Sequence, residues 1–189
     1  EKCLGLKHLR FKRGYKNVIN KAIELNESGI DSQLAIETSG HAAYKENYFL
    51  DDGAYLATKI VIKAAQLAQS GAGIDVLLSS LAEPKEAIEI RFPISGSDFG
   101  AYGEKVLTDL RKWAMESEQA SAGISVVEPN YEGVRLNFRS DDTEGWCLLR
   151  KSLHDPIMPL NIEVTKGSCE KILCIIKVFL SKYDKIVVE

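Results

Sequence analysis

The hydrophobic period of the chain changes once, at Ala82-Glu-Pro84-Lys85, and that change restricts the folds open to it. Before it, apolar residues recur at helical spacing. Val18, Ile19, Ala22, Ile23 and Leu25 predict a helix over 16–27, stopped by Gly29. Ala54, Leu56, Ala57, Ile60, Val61, Ala64, Leu67 and Ala68 predict a second over 52–69, apolar enough to be expected against a sheet. Asp75 to Leu81 predicts a short third. Leu34-Ala-Ile36 is a short apolar run before a Gly-containing turn, which predicts a buried strand. Residues 1–82 therefore read as a piece of an α/β layer domain.

After Lys85 the pattern is strand-rich. Ala87 to Phe92 is strand-like. Tyr102 to Glu118 predicts an amphipathic helix with Val106, Leu107, Leu110, Trp113 and Ala114 on its apolar side. Strand-like runs lie at 124–127, 133–138, 146–150 and 160–164. Val134, Leu136 and Phe138 alternate with Arg135, Asn137 and Arg139, which predicts a sheet with one face in water. Ser168 stands at the N-cap of a closing helix to Tyr183, and Ile186 to Val188 reads as a short tail. Residues 83–189 are thus expected to form an α+β domain, a sheet of about four strands with two helices.

Composition narrows the function classes. The 189 residues are 45% apolar and carry a formal charge of −3, against the basic footprint of a nucleic-acid binder. No run of about 18 apolar residues predicts a membrane span, and Glu1-Lys-Cys-Leu lacks the apolar core of a signal peptide. With no initiator Met and structured sequence from the start, the chain reads as a piece of a longer protein. Cys3, Cys147, Cys169 and Cys174 form no Cys-x-x-Cys pair, so free, reduced and mostly buried cysteines are expected rather than a zinc site. That suits a reducing compartment, cytoplasmic or plastid-like.

Two loops carry candidate chemistry. The first is Glu37-Thr-Ser39-Gly-His41, followed by Lys45-Glu46 and Asp51-Asp52-Gly53. A carboxylate accepts paired hydrogen bonds from neighbouring sugar hydroxyls, Ser donates or accepts, and Gly40 lets a ligand approach the backbone. A polar turn with Asp52 as a helix N-cap accounts for the same residues. The second loop is Arg150-Lys-Ser152-Leu-His154-Asp-Pro156, between two predicted strands. A forked guanidinium, a hydroxyl and backbone N–H groups in one turn suit a phosphate. A hairpin connection with an Arg at its shoulder accounts for these too.

The order and spacing of the first loop resemble the third domain of the α-D-phosphohexomutases, the phosphoglucomutases and phosphomannomutases. Arg13-Gly14-Tyr15-Lys16 resembles a Gly-containing turn of that domain, with Tyr15 where some members have His. Arg150, Ser152 and Pro156 match the phosphate loop of the fourth domain, with Leu153 in place of Gly, His154 in place of Thr and Pro159 in place of a later Arg. The resemblance implies a partial three-layer domain followed by a domain of TATA-box-binding-protein-like fold, joined by a hinge at Ala82–Lys85. It implies that Glu37 and Ser39 bind sugar hydroxyls and that His41 supports catalysis. It places Arg150 and Ser152 on the substrate phosphate, with Lys151 and His154 as further contacts.

The same resemblance implies partners: a hexose phosphate and the remaining N-terminal domains of a parent chain, with neither nucleic acid nor membrane. Mg²⁺ and a nucleophilic phosphoserine would belong to those domains, since no alternating Asp loop or metal ligand set is readable in this chain. The parent would be an enzyme moving a phosphoryl group between O1 and O6 of a hexose, and this portion alone would be inactive. Leu153, His154 and Pro159 leave open a non-catalytic sugar-phosphate sensor or degenerate paralogue, and the α+β half a stand-alone interaction module.

Overall fold

The computed structural model describes residues 5–152 and 155–188. It divides into two compact units, the first ending at Ala82 and the second starting at Glu83.

In the first unit, α1 (Tyr15–Glu27) ends in a Schellman turn. Gly29 takes φ 86°, its amide donates to Asn26, and the Ile30 amide donates to Leu25 at 2.8 Å. β1 (Leu34–Ile36) and β2 (Ala42–Tyr44) then pair as an antiparallel hairpin, Leu34 opposite Tyr44 and Ile36 opposite Ala42. β2 was not readable from sequence, because three residues are too short to display a period of two. α1 lays Ala22 on Ala35 and Ala43, with Val18, Ile19 and Phe49 around them. Methyl-sized side chains on both elements let the helix come close to the strands.

Three expectations fail in this unit. The first strand is not buried: Ala35 is covered, but Leu34 and Ile36 are 39% and 56% exposed. α1 occupies one face of the hairpin, and alternate side chains point to the other. α2 (Gly53–Ala68) forms, with the Asp52 carboxylate accepting from the Tyr55 amide at 2.9 Å, but it buries none of its residues. Ile60, Val61 and Ile62 remain exposed, since among the described residues the hairpin has no second covered face to offer. The third helix is a single 3₁₀ segment, Ile74–Leu77.

The second unit contains β3 (Glu86–Pro93), α3 (Phe99–Ala114), α4 (Ser117–Ser121), β4 (Ile124–Val126), β5 (Val134–Arg139), β6 (Glu144–Leu149), β7 (Ile157–Lys166) and α5 (Cys169–Leu180). One antiparallel sheet of order β3-β7-β6-β5-β4 results. It has five strands rather than about four, because the Ala87–Phe92 run joins β7 along its whole length, from Glu86 opposite Val164 to Pro93 opposite Ile157. Val106 and Leu110 of α3 and Ile172, Ile176 and Leu180 of α5 pack with Leu136, Leu149, Leu160 and Ile162 of the strands, all fully buried. Arg135, Asn137 and Arg139 alternate outward, the predicted open face.

α3 begins earlier than expected and stops at Ala114, where Met115 and an extended Glu116 break the helix before α4. Ser168 does stand at the N-cap of α5, but its side chain makes no capping bond; the Glu86 carboxylate of β3 accepts from the Cys169 amide at 2.8 Å instead. Ile186 is not a loose tail: it bridges Ile94 and is 7% exposed. Cys147 and Cys169 are buried and free as expected, but Cys174 is exposed, and Cys3 lies outside the described residues. Burial pushes the Cys147 thiol up to about 12, so it behaves as a small apolar residue. No described helix is long and apolar enough to cross a membrane.

The alanine contact should be intolerant of volume. Ala43 is 0% exposed, so Ala43→Leu is expected to destabilise the first unit by about 1–3 kcal/mol. Hydrogen exchange at the Glu37 amide, which closes the hairpin on the His41 carbonyl, should accelerate accordingly; unchanged protection would remove this contact from the stability of the unit.

Candidate functional site

Glu37 and His41 are the closing pair of the β1–β2 hairpin. The Glu37 amide donates to the His41 carbonyl at 2.9 Å, and the Gly40 amide to the Glu37 carbonyl at 2.9 Å. Thr38-Ser39-Gly40 is thus a three-residue hairpin loop whose last residue must turn left-handed. Gly40 does so at φ 93°, where an L side chain would cost about 1 kcal/mol or more. The loop sits at the carboxyl end of β1 and projects Glu37, Ser39 and His41 together.

Glu37 is organised by its own turn. One carboxylate oxygen accepts from both the Ser39 hydroxyl and the Ser39 amide, and the other from the Thr38 hydroxyl at 3.2 Å. The Ser39 hydroxyl, above all, holds Glu37 below the usual carboxylate range, with the nearby Arg13 charge a smaller contribution. Glu37 is therefore ionised at neutral pH, and of the roughly four acceptor positions of a carboxylate the turn uses three and leaves one.

His41 is placed by two residues distant in sequence. Its Nδ1 lies 2.7 Å from an Asp51 carboxylate oxygen. Its ring stacks on Tyr15 with centroids 4.9 Å apart and planes inclined by 26°. The Gly14–Tyr15 turn singled out in the sequence is thereby brought to the hairpin loop. Lys45 and Glu46 do not join it: Lys45 pairs with Asp31, and Glu46 with Lys59.

In the second unit, Arg150 follows β6 directly. Its amide donates to the Pro159 carbonyl at 3.0 Å. The Ser152 amide donates to Ile157 at 3.0 Å, and the Ser152 hydroxyl accepts from the Asp155 amide at 3.1 Å. Lys151 turns to α3, where its Nζ is 2.9 Å from Glu104. His154 lies outside the described residues. Beneath this turn Glu89 is held below the usual carboxylate range by hydrogen bonds from Asn161 (2.9 Å) and Arg91 (2.9 Å), with the Arg150 charge contributing.

Sequence reasoning did not find Asp51 as the partner of His41, nor the Glu89–Arg91–Asn161 cluster beside Arg150. Arg91 stands directly opposite Pro159 in the β3–β7 ladder, so a guanidinium occupies the sheet face next to the position where the resemblance expects one. No local signal marks either contact; each is made across a turn or a ladder.

Among the described residues no three His, Cys, Asp or Glu side chains converge to hold a metal ion. The donor set does not fit Mg²⁺, which requires several oxygens around it. Two surface depressions, of about 210 and 170 Å³, lie in the second unit beside Phe179 and beside Phe138, and neither is lined by a residue of either loop.

Residues 2–83 match the family model described as phosphoglucomutase/phosphomannomutase, alpha/beta/alpha domain III. An X-ray structure of a phosphoglucomutase/phosphomannomutase family protein from Burkholderia thailandensis is similar, with TM-score 0.64 and 25% identity. The likeness covers 92% of this chain but 32% of that one, so the chain spans about a third of its solved relative. No curated protein matches.

Glu37 yields a sign-definite test. Because its folded pKa is depressed, its contribution is present above the ordinary Glu range and lost as pH falls through the lowered value. Hairpin protection should therefore weaken on acidification. Ser39→Ala should raise the Glu37 carboxyl titration, followed by ¹³C NMR, towards the ordinary value. An unmoved titration would mean that Ser39 does not organise the carboxylate.

Proposed function

We propose, from the match of residues 2–83 to a phosphoglucomutase/phosphomannomutase domain III model and the likeness to a solved structure of that family, that the chain forms the sugar-phosphate-binding C-terminal portion of a phosphoglucomutase or phosphomannomutase. The observation that carries this reading is the Glu37-Thr38-Ser39-Gly40-His41 hairpin: an ionised carboxylate, a hydroxyl and an imidazole on one rigid turn, within the matched segment. In this reading Glu37 accepts hydrogen bonds from adjacent sugar hydroxyls, Ser39 donates or accepts a further one, and His41 contacts a third. Arg150 and Ser152 bind a phosphate, by charge and by hydroxyl, with His154 as a further donor. The Lys151–Glu104 pair makes Lys151 a weaker candidate for that role.

The reaction proposed for the parent moves a phosphoryl group between O1 and O6 of a hexose. A phosphoserine of an N-terminal domain would give its phosphoryl to the sugar phosphate, and the bisphosphorylated sugar would return the other one. This chain supplies positioning. Phosphoryl transfer leans on positioning and charge stabilisation, so groups remote from the reacting bond contribute rate through binding. Mg²⁺ belongs in this reading to the remainder of the parent, and no residue of this chain is given a metal role.

Titration of the chain with glucose 6-phosphate, followed by amide NMR, tests the reading. Shifts are expected at Ser39–His41 and at Arg150–Ser152. Arg150→Ala should weaken binding by roughly ten- to a hundredfold, the value of a charge-assisted hydrogen bond of about 1.5–3 kcal/mol. Silence of both loops would sink it. The chain alone, given glucose 1-phosphate, glucose 1,6-bisphosphate and Mg²⁺, should form no glucose 6-phosphate. A sugar-phosphate sensor is the second reading, favoured by Pro159, which stands in β7 where the resemblance expects an Arg. Binding without turnover in the full parent chain would select it.

A further inference from the structure

The contact between His41 and Asp51 depends on a turn that is unusual in itself. Tyr48 and Phe49 both take left-handed backbone angles, φ 54° each, a conformation that residues other than glycine seldom adopt. The turn is held by the Phe49 amide, which donates to the Tyr44 carbonyl at 2.9 Å, and by the packing of Phe49 on the Ala22, Ala35 and Ala43 cluster. Its result is to return the chain to β2, where Asp51 bridges Ala43. Asp51 then reaches His41 Nδ1 at 2.7 Å while Tyr15 stacks on the ring.

An ionised carboxylate accepts hydrogen bonds and donates none. The proton between Asp51 and Nδ1 must therefore sit on Nδ1. When the imidazole is neutral, its single N–H is used on Asp51, and Nε2 is left with its lone pair. Among the described residues nothing hydrogen-bonds Nε2, and the His41 side chain is 47% exposed against 28% for Asp51. The carboxylate is thus the more sheltered partner of the pair.

We propose that Asp51 is a positioning residue for His41: it fixes the Nδ1–H tautomer, with Tyr15 fixing the ring plane, so that Nε2 of the neutral ring accepts a hydrogen bond from a ligand hydroxyl. That the hydroxyl belongs to a sugar rests on the function proposed for the hairpin; the tautomer does not. An ordinary solvated ion pair at the same place would need neither the stacked Tyr15 nor the left-handed turn that delivers Asp51.

The test is ring ¹⁵N NMR of the histidine-labelled chain, at a pH where the imidazoles are neutral. His41 is expected with Nδ1 protonated and Nε2 bare. Asp51→Ala should shift it towards the Nε2–H form that an unconstrained imidazole favours. Asp51→Asn, whose amide oxygen still accepts, should retain Nδ1–H. A bare Nδ1 in the unaltered chain overturns the proposal. So does an Asp51→Ala variant with an unchanged tautomer and an intact hairpin, judged by protection of the Glu37 amide. If Asp51→Ala loses the hairpin, the unaltered chain and Asp51→Asn still decide. Added glucose 6-phosphate should shift the Nε2 resonance while Nδ1 stays protonated. If it moves neither nitrogen, the sugar assignment falls and the role of Asp51 stands.

Discussion

The close approach of α1 to the β1–β2 hairpin, methyl against methyl at Ala22, Ala35 and Ala43, is the contact on which the first unit depends. It buries little area, so it adds modest hydrophobic stabilisation. Its importance is geometric. A larger side chain at any of the three positions would lift the helix off the strands. Tyr15, at the first turn of α1, would then leave the His41 ring, and Phe49 would lose the surface that holds the left-handed turn ahead of Asp51. One small cluster thereby sets three residues of the candidate site.

The hairpin loop shows a second economy of parts. Glu37 is charged, yet its turn already supplies the Ser39 amide, the Ser39 hydroxyl and the Thr38 hydroxyl. In the function proposed, a ligand hydroxyl would meet a carboxylate whose orientation is settled beforehand, which would lower the ordering cost of binding. Ser39 must share its hydroxyl between Glu37 and any ligand, so the two residues act as a unit.

The second unit reaches its candidate site by other means. A five-stranded antiparallel sheet covered on one face by α3 and α5 places Arg150 at the end of β6. On the open face, β3 brings Glu89 and Arg91 alongside Asn161 and Pro159 of β7. Pro159 contributes its carbonyl to the Arg150 amide and has no N–H to give. The β3 edge is thus part of the electrostatic surroundings of Arg150, although about 60 residues separate them in sequence.

By itself the sequence determined the change of architecture near Ala82, the helices expected over 16–27 and 52–69, the alternation of Val134 to Arg139, and the loop that carries Glu37, Ser39 and His41. These are local properties: periodicity, caps and turn residues act over a few positions. Tertiary structure decided the rest. It left α2 and Leu34 uncovered, extended the sheet by β3, tied Ile186 to Ile94, turned Lys151 to Glu104, and chose Asp51 and Tyr15 as the neighbours of His41. Each of these depends on which surfaces meet once elements pack, and no spacing along the chain encodes a contact made through a ladder, a reversed turn or a helix laid across a hairpin.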